Sequence, residues 1–311
     1  MKEIEITDIP LLTPGEQSLL DLHSVVNVLN VLRCELAVLG LLAADNDDYF
    51  HEGQAVCEAL LRSLHDPSAA LLEAARIGKY EQVVFTELAA KLVAPPAQPD
   101  AGELAKAMAN LHAVFTILKL RAHEILARAA APDRWESFNL TALRADFVAV
   151  FSAIEKHSRG RFRILYNAAR KEEKDYYVDF KLETAGGAPL AMPAAFTDVM
   201  RDLIANARKY TPPGGSIVAA LYEDAAALRF VVADTGRGIP EQELLQVMEF
   251  GKRASNVADV RTLGGGFGLT KAFLVTKRFG GRFWIASELG KGTRIRITIP
   301  LPSAPPCPGE R

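Results

Sequence analysis

Apolar residues in the first third of the chain recur at helical spacing. Leu22, Val25, Leu29, Leu32, Leu36 and Leu39 advance in alternating steps of three and four, the seam of a coiled-coil-like bundle helix. Thr13-Pro14-Gly15-Glu16 offers a capping-box spacing with proline at the first helical position, so this helix should start there and run to about Ala44. A second seam, Leu104, Met108, Leu111, Phe115, Leu118, Ala122 and Ile125, predicts a helix over roughly 101–131, and the two seam helices should pack on each other. Between them the pattern predicts helical stretches at about 47–64 and 67–92, then a Pro-rich connector over 94–102.

The rhythm changes in the second half. Phe196, Met200, Leu203 and Ala207 keep helical spacing while Asp202, Asn206 and Lys209 fall on another face. Ser216–Tyr222 and Leu228–Ala233 read as strands, the second ending at Asp234. A glycine-rich entry at 264–268 leads into the helical composition of 269–279. Gly281–Ser287 and Gly292–Pro300 then alternate like an antiparallel pair. The predicted organisation is an all-α bundle over 1–132, an α/β domain over 133–302 and a Pro-rich tail over 303–311.

Composition narrows the class. A length of 311 residues suggests about two domains, and 49% apolar residues suffice for ordinary cores. A net charge of −2 singles out no polyanion, so no nucleic-acid partner is expected. Cys34, Cys57 and Cys307 have neither metal-ligand spacing nor a pairing pattern. With no signal peptide and no apolar run near 18 residues, no membrane segment is expected, and the reading is a cytoplasmic chain with reduced thiols.

The chemistry lies in three pieces whose order and spacing agree. Asn206 can place an amide oxygen in the octahedral shell of Mg²⁺; Lys209 can set a positive charge against phosphate oxygens, and Asp202 can orient water. Asp234, at a strand end, can accept a hydrogen bond from an exocyclic amine such as that of adenine. Gly236 and Gly238 let the backbone pass close to a flat ring. The glycines at 264–268 precede a helix, whose first N–H groups form a phosphate cradle. Together they describe a site for ATP with Mg²⁺.

Residues 135–301 resemble the ATP-binding domain of sensor histidine kinases, within the superfamily shared with gyrase, Hsp90 and mismatch-repair ATPases. The resemblance implies an α/β sandwich, a mixed sheet packed on helices. It implies Asn206 on Mg²⁺, Lys209 and Tyr210 near phosphates and ribose, Asp234 on adenine, and Gly264, Gly266 and Gly268 in a lid. Leu269 and Thr293 complete the nucleotide set, and Phe250-Gly-Lys-Arg-Ala resembles a lid box that would put Arg253 near the γ-phosphate. It further implies a homodimer through the helical bundle, input from a separate sensor protein, and phosphotransfer to a response regulator receiver domain.

Among the histidines His23, His51, His65, His112, His123 and His157, the stretch from His23 resembles the family's phosphoacceptor box, with Asn27 four and Leu29 six positions later. Asn27 could position a water against a phosphohistidine. The family commonly has an acidic residue after the histidine, where this chain has Ser24. His112, with Thr116, and His123, with Glu124, are the alternative acceptors. Some 50 helical residues between the seam helices depart from the family's short hairpin loop. The expected activity is a histidine kinase; alternatives are a phosphotransfer protein or phosphatase acting on a response regulator, and a serine kinase regulating a protein partner.

Overall fold

The structure is a computed structural model and describes residues 1–97, 100–157, 160–185, 187, 189–260 and 265–302; of 23, 128, 150, 153, 154, 156 and 157 it describes the backbone alone. The chain divides into two compact units, Leu11–Pro132 and Met1–Pro10 together with the part from Asp133 onward.

The helical unit contains α1 (Pro14–Ala44), α2 (His51–Ser63), α3 (Pro67–Ala74), α4 (Ile77–Lys91) and α5 (Ala101–Ala130). Thr13 closes the capping box at the head of α1: its hydroxyl accepts from Glu16 N–H at 3.3 Å and its own N–H donates to the Glu16 carboxylate at 2.8 Å. The α1 seam from Leu22 to Leu39 is buried, α5 buries Leu111, Phe115, Leu118, Ala122 and Ile125, and the two helices pack on each other. The stretch expected as one helix over 67–92 is broken at Ala75 and Arg76, where Glu73 spans the corner by bonding Arg76 and Tyr80. The break lets Ala70 and Ile77 both enter the core that α2 to α4 add to the seam helices.

One sequence expectation is corrected in α1. Over Ser24–Ala44 its mean hydropathy is 1.8, long and apolar enough to cross a membrane by length and composition, because only Arg33 and Glu35 interrupt it. Its seam side lies in the bundle core, while Val31, Val38 and Leu41 are exposed. On α5, Ile117 and Leu120 are likewise exposed.

The other unit is built on a seven-stranded mixed sheet. Its strands are β1 (Glu3–Ile6), β3 (Ile164–Leu165), β4 (Tyr176–Thr184), β6 (Ser216–Glu223), β7 (Ala227–Asp234), β8 (Arg282–Glu288) and β9 (Gly292–Pro300), in the order β1-β8-β9-β7-β6-β4-β3. The β3/β4 and β4/β6 pairs are parallel and the rest antiparallel. A small antiparallel pair joins β2 (Trp135–Phe138) to β5 (Leu190–Pro193). One face of the large sheet, including Phe180, Ile217, Phe230 and Ile297, packs against α6 (Leu140–His157), α7 (Phe196–Tyr210) and α8 (Gly268–Arg278) through Phe147, Met200, Leu203 and Phe273. This is the α/β sandwich, and the all-α part precedes it.

Residues 1–10 group with the sheet unit, not with the helices that follow them. Glu3 to Ile6 pair with β8, Glu3 and Glu5 meet Arg296 and Arg282, and Ile6 is buried. A strand of four residues, Glu-Ile-Glu-Ile, is too short for its alternation to stand out in sequence.

Candidate nucleotide site

Asn206 lies on α7, whose buried face fixes the direction of its polar one. Phe196, Val199, Met200, Leu203 and Ala207 enter the core, leaving Asp202 and Asn206 one turn apart and half-buried. Gly268, the first residue of α8, lies against Asn206: a Cβ there would sit 2.9 Å from the Asn206 side-chain nitrogen. The glycine thus brings the head of α8 onto the residue expected to hold magnesium, and a larger side chain would push them apart.

Asp234 ends β7. Its Oδ1 accepts N–H bonds from Gly236 at 2.8 Å and Thr293 at 3.3 Å, while Oδ2 has no partner among the described residues. Burial pushes the carboxyl up to about 6, against the lowering effect of those two N–H groups. The loop that follows is tight. A Cβ on Gly236 would lie 2.5 Å from the Tyr210 carbonyl oxygen, and Gly238, at φ 67°, presses on the Glu288 carbonyl. Ser287, which sequence reading missed, ties this loop to the β8–β9 turn: its hydroxyl accepts from Ile239 N–H at 2.8 Å and donates to Gly292 O at 2.9 Å, 2.8 Å from the Thr293 hydroxyl.

Tyr210 lies beside the same loop, its carbonyl accepting from Arg237 N–H at 3.1 Å, and the Lys209 ammonium lies 5.0 Å from the centre of its ring. Leu269 and Tyr210 pack with Val247, Ala254 and Val257 in a small separate cluster under the segment 246–260. Phe250 stacks on Phe267 at 4.6 Å, and Gly266, at φ 80°, lies against Gly251 and Lys252.

Arg253 is engaged within this segment. Its guanidinium donates to the carbonyls of Val257 at 2.8 Å and Val260 at 3.0 Å, leaving Nε buried without a partner. Arg237 pairs with Asp259, and the Asn256 amide donates to Gly238 O at 3.0 Å, so residues 255–259 fold onto the glycine loop after Asp234. Asp202, expected to orient water, accepts from Lys271 Nζ at 3.2 Å. Lys271 escaped the sequence reading because one lysine in a helical run carries no signal of burial.

Asn206, Lys209, Tyr210, Asp234, Gly236, Gly238, Gly266, Gly268, Leu269 and Thr293 thus belong to one unit, on elements that meet at one end of β7 and the head of α8. Gly264 lies outside the described residues. His23 and Asn27 belong to the helical unit on α1; Asn27 is half-buried, and the side chain of His23 lies outside the described residues. Of the alternative acceptors, His112 stacks on Phe85 of α4 at 4.2 Å and His123 is exposed on α5.

The residues fit ATP. A half-buried carboxylate has one oxygen without a partner among the described residues and suited to an amine, glycines let the loop after it pack tightly against Tyr210 and Glu288, and the amide of Asn206 is a hard oxygen donor suited to magnesium.

Comparisons with known proteins point the same way. Residues 192–303 match the family described as histidine kinase-, DNA gyrase B-, and HSP90-like ATPase. The adaptive-response sensory kinase SasA of Synechococcus elongatus is 38% identical over 112 residues, 36% of this chain and 28% of its own length. The sensor histidine kinase WalK of Bacillus subtilis is 37% identical over 107 residues, 33% of this chain and 17% of its own. The solved mycobacterial sensor histidine kinase MprB aligns with 54% of this chain and 97% of its own at 22% identity and a TM-score of 0.38. The chain therefore spans less than a third of the length of these two kinase relatives.

Proposed function

We propose that this chain is an ATP-dependent histidine kinase of a two-component system, a reading supported by the match of residues 192–303 to the histidine kinase-, DNA gyrase B-, and HSP90-like ATPase family and by the kinase relatives. It phosphorylates one of its own histidines and passes the phosphoryl group to an aspartate of a response regulator receiver domain. The observation that carries the reading is Asp234, held at the end of β7 with Oδ1 bonded and Oδ2 without a partner among the described residues, above a loop that only glycine can make.

In this reading Asp234 Oδ2 accepts the adenine amine, Lys209 faces the phosphates, and the N–H groups at the head of α8 receive them. Asn206 would hold magnesium, which when bound neutralises charge on the transferring phosphates. His23 is the acceptor we assign. A neutral ring nitrogen attacks the γ-phosphorus, the bond to the bridging oxygen breaks and ADP leaves; the ring's other proton passes to solvent, since Ser24 offers no carboxylate. Val31, Val38 and Leu41 of α1, with Ile117 and Leu120 of α5, give the helical unit an apolar side that a second copy would cover, and a homodimer is part of the proposal. A cytoplasmic location is also part of it, supported by the free thiols of Cys34 and Cys57.

Ser24 favours a second reading, a phosphatase or phosphotransfer protein in which Asn27 orients water against a partner's phosphoaspartate. One experiment separates them. Purified protein incubated with γ-labelled ATP and Mg²⁺ should take up label that is acid-labile and alkali-stable, and His23→Gln should abolish it while binding ATP. Label stable in acid would indicate a serine kinase. Label lost only in His112→Gln or His123→Gln would move the acceptor to α5.

A further inference from the structure

Lys271 lies in the first turn of α8 and is 5% exposed. A lysine there is out of place twice over, since burial disfavours an ammonium and the positive end of a helix disfavours a cation. Its surroundings account for it. The ammonium lies 3.2 Å from Asp202 Oδ2 and 3.6 Å from Asp198 Oδ2, both on α7. Asp202 stands one turn before Asn206, and Lys271 stands three residues after Gly268, which touches Asn206. The two helices are therefore pinned at two adjacent points, one a close approach of a glycine and one a buried cluster of a lysine and two aspartates.

We propose that Lys271 is a positioning residue of the nucleotide site: it neutralises Asp198 and Asp202 beside the place of the phosphates and holds the head of α8 against Asn206. The proposal rests on the ATP-site reading above. Without the lysine, Asp202 and Asp198, the latter still 3.4 Å from the Arg201 guanidinium, would lose a positive charge on the helix that carries Asn206, and the polyphosphate would meet a more negative surface. Asp202 would also lose the ammonium 3.2 Å from its Oδ2, one turn from Asn206. The consequence is specific to charge. Nucleotide without metal should bind worse when the lysine is lost, and magnesium should recover part of the loss by screening the carboxylates.

The test measures ADP affinity of the full chain by calorimetry, in EDTA and in Mg²⁺. For Lys271→Met the expected result is at least a tenfold loss of affinity in EDTA and a clearly smaller loss in Mg²⁺. Lys271→Arg, which keeps the charge, should stay within about threefold of the wild-type protein, given that a guanidinium can pair with two carboxylates. Adding Asp198→Asn and Asp202→Asn to Lys271→Met should restore binding in EDTA, because the lysine and both carboxylates that it pairs with are then replaced by neutral groups while Arg201 stays. If Lys271→Met does not fold, the neutral triple variant carries the same test, with near wild-type affinity in EDTA supporting the proposal and a loss beyond tenfold overturning it. Equal losses with and without metal, or no rescue by the two asparagines, would reduce Lys271 to a packing residue. Wild-type protein that binds no ADP would overturn the nucleotide reading and this proposal with it, whereas wild-type binding alongside unchanged Lys271→Met affinity overturns the proposal alone.

Discussion

At the scale of single residues, Asp234 joins folding and ligand binding with opposite signs. Its folded-state carboxyl titrates at about 6, above the ordinary value of 3.8, because burial outweighs two N–H bonds. A raised carboxyl favours the folded protein below the ordinary range, and that contribution is lost as pH rises through about 6. Adenine recognition needs the anion, so nucleotide affinity should run the other way and fall as pH drops below about 6. Calorimetric titration with ADP between pH 5 and 8 checks this, and Asp234→Asn should both flatten the step and weaken binding by about 1–3 kcal/mol. An unchanged affinity in a folded Asp234→Asn protein would remove Asp234 from the adenine contact. Asp234, Asn206 and the glycines were legible in sequence because each sits in a local string whose spacing states its geometry. Lys271 and Ser287 were not, since their roles come from partners 69 residues away, in Asp202, and 48 residues away, in Ile239.

Elements show the same division. The capping box at Thr13 and the seams of α1 and α5 could be read directly, because cap and periodicity are local signals. The head of α2 could not. Its N-cap is Phe50, which has no side chain to accept a hydrogen bond, and the task falls to Glu87 of α4. The buried Glu87 carboxylate accepts from Gly53 N–H at 2.8 Å and Glu52 N–H at 3.2 Å, and pairs with Lys91 at 2.7 Å. A carboxylate supplied from another helix satisfies the free N–H groups and the positive end of the dipole together. Glu87→Ala should therefore destabilise the helical unit by on the order of 2–4 kcal/mol, since it orphans two N–H groups and takes the carboxylate from Lys91, which keeps its bond to Tyr49 O. Urea unfolding followed by circular dichroism measures it, and a cost within ~0.5 kcal/mol would mean that water caps α2 equally well. The corner at Ala75 and Arg76 went unread for a related reason: it answers to the burial of Ala70 and Ile77, not to a glycine or proline.

On the scale of the whole molecule, the strand furthest from its neighbours in sequence is the one that escaped prediction. β1 occupies the edge of the sheet beside β8, some 277 residues away at the Glu5–Arg282 pair. Removing residues 1–10 should expose the β8 edge, uncover Phe283 and Ile285 next to the lost Ile6, and leave Arg282 and Arg296 without their carboxylates. The sheet unit should then melt several degrees lower and be more prone to associate, as scanning calorimetry and light scattering would record. An unaltered transition would mean that β1 contributes no net stability to the sheet.

The position of β1 has a further meaning for where the helices are inserted. The chain leaves the sheet unit after Pro10 and re-enters it at Asp133, so α1 to α5 are an insertion within the sheet unit's own sequence. The short flanking piece, residues 1–10, is held in the sheet by one four-residue strand and its ion pairs. Its pairing with β8 closes a loop that spans the whole helical insertion, and the entropic cost of that closure grows only slowly with the length of the insertion.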